Sequence, residues 1–144
     1  MIEGMNIKPL KIFRDARGQV MHMIRRDDPL FKGFGEIYFS VVNPGVVKGW
    51  KRHLKMVQSF AIPQGNMKLV IYDDRPDSSS KGEVQEIIFG EDNYQLVQLP
   101  ALLWYSFSPV GDRAAMITNC ASIPHDPKES EQIELSDLRI PYRW

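Results

Sequence analysis

The chain has 144 residues, 18 Lys and Arg against 18 Asp and Glu, and is 43% hydrophobic and 25% charged. That length and apolar content suit one domain with a substantial core, and a formal net charge of zero leaves no global field for nucleic acid or an anionic membrane. No apolar run approaches the roughly 18 residues of a membrane span, and the one cysteine, Cys120, excludes an intrachain disulfide and reads as a small buried hydrophobe.

The opening segment MIEGMNIKPLK has no apolar signal-peptide core, so a cytoplasmic protein is expected. Strand-like runs follow at 36–42, 57–62, 67–73, 84–89, 94–99 and 114–121, rich in β-branched and aromatic residues, and several of them alternate apolar with polar positions. Turn residues separate them at 63–66, 73–83, 89–93 and 109–113. Short strands at this spacing predict a β-sandwich or barrel over residues 1–144. One short helical turn is expected at 127–133, and the tail LSDLRIPYRW, ending on an aromatic, is expected to dock on the body or on another subunit.

The segment PGVVKGWKRHLKMVQSFAIPQG (44–65) carries Lys48, Lys51, Arg52, His53 and Lys55 within eight residues. Residues 51 and 53 share one face of a strand because the side-chain period is two. Gly65 starts a tight turn, and Gln58 on the returning strand faces the same interior. As a metal site the set is poor, since a charged Lys51 repels a cation and Gln58 is a weak ligand for a transition metal. No metal and no other cofactor is expected.

The spacing Gly45, Lys51, His53, Gln58, Gly65 resembles the first motif of the cupins, which places His, His and Glu where Lys51, His53 and Gln58 stand; LPALLWYSF (99–107) resembles the second motif, with Tyr105 at its histidine position. A narrower resemblance covers nearly the whole chain. DARG (15–18), VVKGWK (46–51), GNMKLVIYDDRPDSSS (65–80) and SDLRIPYRW (136–144) together are similar to the dTDP-4-dehydrorhamnose 3,5-epimerase family, metal-free RmlC-like cupins of deoxysugar biosynthesis. The resemblance implies an all-β, cupin-type jelly-roll (double-stranded β-helix) barrel, a homodimer whose first strand reaches the partner subunit, with a nucleotide sugar, most simply a dTDP-sugar, as ligand.

The resemblance also implies site residues, several of them altered. Lys51 stands where the family has its histidine base, and Asp137 where the aspartate that orients that base lies. Gln58 takes the place of a lysine and Tyr105 that of a second histidine. Where the family's tyrosine acid is expected the chain has Ile123 and Pro124, with His125 next. Lys51 reads as a base or as an anchor for phosphate or sugar, His53 as a base on its intrinsic pKa, Tyr105 or His125 as the acid and Gln58 as a neutral donor. Arg17, Lys48, Arg52 and Arg75 are the candidate diphosphate contacts. Three functions remain open on the residues: an epimerase acting on a dTDP-4-keto-6-deoxyhexose, a sugar 3,4-ketoisomerase, and a catalytically silent binder of a nucleotide sugar or a partner.

Overall fold

A computed structural model describes all residues, 1–144, and is built almost wholly of antiparallel strands. In chain order they are β1 (Asn6–Pro9), β2 (Ile12–Asp15), β3 (Gly18–Met21), β4 (Glu36–Val42), β5 (Lys48–His53), β6 (Gln58–Gln64), β7 (Asn66–Tyr72), β8 (Val84–Gly90), β9 (Gln95–Leu99), β10 (Trp104–Pro109), β11 (Ala115–Ala121) and β12 (Ser130–Gln132). Two five-stranded sheets face each other, one in the order β1-β9-β6-β11-β4 and the other β12-β5-β10-β7-β8, while β2 and β3 form a separate hairpin. This is the expected all-β cupin-type jelly roll. None of its segments is a helix long and apolar enough to cross a membrane.

The alternation of the strands decides what each face holds. Phe60, Ile62, Val97, Leu99 and Ile117 of the first sheet meet Leu69, Ile71, Ile87, Phe89 and Tyr105 of the second in one buried core, closed at the β1–β8 side by Ile2 and Met5. A second cluster lies on the outer face of the second sheet, where Trp50, Val70 and Trp104 are covered by Ile140 of the C-terminal tail. The tail docks by aromatic contacts: Trp144 packs edge-on against Tyr142, donates its indole N–H to Ser106 Oγ at 3.0 Å, and receives the Lys68 ammonium over its ring at 4.5 Å.

The helical turn expected at 127–133 is corrected to a single 3₁₀ turn, Pro127–Glu129, followed by β12. Asp126 caps the turn through the amide of Lys128, but the chain then pairs with β5, Ser130 opposite His53 and Gln132 opposite Lys51. Ladder hydrogen bonds to an otherwise open strand edge outweigh a weak local helix preference. Gly65 carries the positive φ of +75° that the β6–β7 turn demands.

The 73–83 loop is tied to the N-terminus by a buried carboxylate. Asp73 accepts hydrogen bonds from Arg75 Nε at 2.9 Å, Ser78 Oγ at 2.6 Å and Ser80 Oγ at 2.7 Å, and Arg75 Nη2 reaches the Glu3 carbonyl at 2.7 Å. Burial alone would raise the Asp73 carboxyl, yet Arg75, Ser78 and Ser80 hold it well below the usual carboxylate range. Removing the carboxylate strands a guanidinium and two hydroxyls, so Asp73→Ala should cost about 3 kcal/mol of unfolding free energy in a urea titration, with the N-terminal residues losing amide-exchange protection first.

Candidate functional site

The site is organised by β5, a strand polar on both faces. Its alternation sends Trp50 and Arg52 outward and Lys51 and His53 inward. Gly49 has φ +126°, and a Cβ there would lie 2.5 Å from Ser106 Cβ and 2.8 Å from the Tyr105 carbonyl, so only glycine lets β5 approach β10 this closely. Inward from that contact lies a cavity of about 210 Å³. Tyr38 and Ser40 of β4 form one wall and Lys48, Lys51 and Gln132 of β5 and β12 the other; Phe60, Tyr105, Phe107 and Ile117 make its floor. The two walls are the neighbouring edges of the two sheets, so the cavity lies at the seam between them.

No carboxylate lines this cavity. Lys48 Nζ donates to Ser40 Oγ at 3.0 Å, bridging the walls. Lys51 is half-buried beside Tyr105, its register partner on β10. Tyr105 is sandwiched between two parallel neighbours, its ring centroid 6.2 Å from that of His53 on one side and 6.2 Å from that of Phe107 on the other.

Behind Tyr105 lies a buried histidine–carboxylate pair absent from the sequence reading. His53 Nδ1 bonds Glu129 Oε1, and the other carboxylate oxygen accepts the amides of Lys55 and Met56 at 3.2 Å each. These donors identify Glu129 as the charged partner and fix the tautomer: Nδ1–H points at Glu129, and Nε2 is left as a buried nitrogen without a partner. Gln58 Oε1, on the inner face of β6, is likewise buried and unpaired. Glu129 sits immediately before β12, and the pairing of β12 with β5 delivers it.

Of the residues singled out in sequence, Lys48, Lys51 and Tyr105 line the cavity, and His53 and Gln58 lie in the barrel interior, sealed from solvent. The rest are elsewhere. Asp137 does not orient Lys51; it accepts from Arg139 Nη2 at 2.8 Å in the tail, which runs over the outer face, and that guanidinium holds its carboxyl down at about 2. Arg52 stacks over Trp104 at 4.4 Å and is held by Asp74 at 3.0 Å and Glu131 at 2.5 Å, on the face opposite the cavity. Arg75 is occupied by Asp73. His125 is exposed in the loop before the 3₁₀ turn. Arg17 is at the exposed tip of the β2–β3 hairpin, paired with Asp15 at 2.6 Å. For Arg17, Arg52, Arg75 and Asp137 the cause is shared: the nearest opposite charge on the same turn or face captures the group. Tyr38, Ser40 and Gln132 were missed because they come from sheet edges that only the fold brings together; EIYFSVV did carry the alternating pattern that turns Tyr38 and Ser40 to one side. No group of three or more His, Cys, Asp or Glu side chains is arranged to hold a metal ion.

The family model described as dTDP-4-dehydrorhamnose 3,5-epimerase matches residues 1–144. The chain is 33% identical over 143 residues to the probable low-salt glycan biosynthesis epimerase Agl13 of Haloferax volcanii, covering 98% of this chain and 88% of that protein. It is 30% identical over 146 residues to the spore coat polysaccharide biosynthesis protein SpsL of Bacillus subtilis, covering 100% of this chain and 97% of that one. Among solved structures it is similar to a dTDP sugar isomerase from Desulfovibrio desulfuricans G20, with a TM-score of 0.97 and 42% identity, covering 99% and 92% of the two chains.

The His53–Glu129 pair makes the fold acid-sensitive. Burial pushes the His53 imidazole down, against the pull of Glu129; burial pushes Glu129 up, but its bonds to His53 and to the Lys55 and Met56 amides hold it below its ordinary value. Both groups therefore bind protons less readily folded than unfolded. Stability is fully present above the ordinary histidine pKa of about 6.5 and falls as pH drops through it and then through the carboxylate range. The urea midpoint should decline from pH 7 to pH 4, and His53→Asn should flatten the upper part of that decline.

Proposed function

This chain belongs to the dTDP-4-dehydrorhamnose 3,5-epimerase family, and on that premise we propose that it epimerises the sugar of a nucleotide-linked 4-keto-6-deoxyhexose, a dTDP-sugar in the first instance, in the assembly of a surface glycan or polysaccharide. The observation that carries this reading is the seam cavity: a half-open cleft with two lysine nitrogens, two phenols and an aromatic floor, and no carboxylate to compete for the lysines. Aromatic floors suit the apolar faces of a deoxysugar, and amines suit the oxygens of a ketone, an enolate or the diphosphate. The names of the relatives, a glycan epimerase and a spore coat polysaccharide protein, point to the same class of product. A cytoplasmic location accompanies a nucleotide-sugar substrate.

Epimerisation next to a ketone begins with removal of the acidic α-proton. Lys51 and His53 share the inner face of β5, but only Lys51 lines the cavity, whereas His53 Nε2 is sealed beneath Tyr105. Lys51 is therefore assigned as the proton acceptor, and His53 with Glu129 as the buried pair that anchors β5 to the loop at 122–129 and supports Tyr105. Lys48 is the contact for the phosphate nearest the sugar. The altered residues of the family pattern are on this reading a rearranged catalytic set, not a loss of activity.

A second copy of the chain is part of the proposal. The outer face of edge strand β4 exposes Ile37, Phe39 and Val41, and the hairpin exposes Phe13 and Val20. An apolar stripe on an open edge, beside a protruding hairpin, fits a second copy better than water, and Arg17 at the hairpin tip would then reach toward the partner's substrate phosphates.

Two measurements test these statements. In deuterated water with dTDP-4-keto-6-deoxy-D-glucose, the wild type should take up deuterium beside the ketone, measured by mass spectrometry; Lys51→Met should lower the uptake at least about 100-fold, whereas His53→Asn should chiefly lower thermal stability. Binding without deuterium uptake by the wild type would leave a silent binder. Sedimentation should give a dimer at micromolar concentration, and Phe39→Glu should convert it to a monomer.

A further inference from the structure

Of the two phenols that line the cavity, Tyr38 and Tyr105, only Tyr38 has an oxygen that accepts a hydrogen bond from the protein. Asn119 lies beneath it, fully buried on the inner face of β11. The Asn119 amide has no freedom to turn, because its Oδ1 accepts the backbone N–H of Ser59 at 3.1 Å. Its Nδ2 must therefore be the donor at the other end, and it donates to Tyr38 Oη at 3.0 Å. An oxygen that already accepts a hydrogen bond keeps its own O–H for something else. Tyr38 stands on the β4 wall of the cavity, facing the β5 wall that carries Lys51, and the residue is 36% exposed where Tyr105 is buried.

Resting on the reading of the site as a keto-sugar epimerase, we propose that Tyr38 is the catalytic acid, with Asn119 as its positioning residue. Lys51 takes the α-proton from one face of the sugar, and the C–H electron pair moves into the carbonyl to form the enolate. Tyr38 delivers its O–H proton to the same carbon from the opposite face, and the enolate electrons return to that bond and restore the ketone with inverted configuration. The phenolate left on Tyr38 is held by the Asn119 N–H until it takes a proton from water, and Lys51 returns its proton to water. Tyr105, expected from sequence to be an acid, has no such donor to stabilise its anion, and burial pushes its phenol well up; it serves as floor. Burial also raises Tyr38, with the Asn119 bond acting against it, so the proton is present at neutral pH.

The experiment separates proton removal from proton delivery. With dTDP-4-keto-6-deoxy-D-glucose in deuterated water, deuterium uptake into recovered substrate reports the base, and the yield of inverted sugar, trapped by borohydride and resolved by NMR, reports the acid. Tyr38→Phe should keep uptake within about twofold of the wild type and lose inverted product about 100-fold or more. Asn119→Asp replaces the donor by an acceptor of the same size, so its inversion should fall as pH rises and the carboxylate ionises, a dependence that a merely structural asparagine would not produce; it is the second arm should Tyr38→Phe fail to fold. Inversion by Tyr38→Phe at the wild-type rate, equal loss of uptake and inversion, or an Asn119→Asp loss flat with pH would each overturn the assignment while leaving the epimerase reading in place. A wild type with no deuterium uptake would overturn the epimerase reading and the assignment together.

Discussion

Strand β5 carries six residues of which three are basic and one is a tryptophan, and the alternation of its side chains is the constraint from which the rest of the molecule follows. Trp50 and Arg52 go to the outer face, where Trp50 is buried under the C-terminal tail and Arg52 is caught between Asp74, Glu131 and the face of Trp104. Lys51 and His53 go to the inner face, one into the cavity and one behind it. A one-residue slip would exchange the two sets, placing a tryptophan in the cavity and a histidine in the tail cluster. The register of Lys51 and His53 is pinned from both sides, by Tyr105 of β10 opposite Lys51 and by Ser130 of β12 opposite His53, while an irregularity at Gly49 shifts the β10 pairing so that Lys48, opposite Phe107, also faces the cavity.

This division also explains the distribution of charge. Four arginines away from the cavity, Arg52, Arg75, Arg139 and Arg17, are each paired with a carboxylate. The cavity holds Lys48 and Lys51 and no carboxylate. A concave site whose lysine nitrogens meet no carboxylate, over an aromatic floor, is prepared for a ligand that brings polar oxygens and an apolar face together. The buried carboxylate behind the cavity floor, Glu129, is set apart from the cavity and saturated by His53 and two amides.

The barrel is not equally closed on all sides. The β1–β8 side is filled by Ile2 and Met5, which are held in place through the Glu3–Arg75–Asp73 clasp. The β4–β5 side is left as the seam, bridged by Lys48 to Ser40 and by little else. Local opening is easiest where buried contacts are few, so the side bearing the proposed acid and base is also the side able to admit a sugar.

The sequence by itself determined the strand content, the jelly-roll class and the family, because alternating patterns, turn residues and widely spaced motifs are local or linear properties. It also determined that residues 51 and 53 share a face, since that needs only a period of two. It did not place Asp137, Arg52, Arg75 or His125, because a partner for a charged group is chosen by whatever carboxylate lies nearest in space, and in each case but the exposed histidine a neighbour on the same turn or face won. Glu129, 76 residues from His53, and Tyr38, 81 residues from Asn119, meet their partners only after β12 has paired with β5 and β4 with β11. Which phenol keeps a free proton was decided later still, by a backbone N–H at Ser59 that fixes which end of an amide points at it, and no reading along the chain contains that.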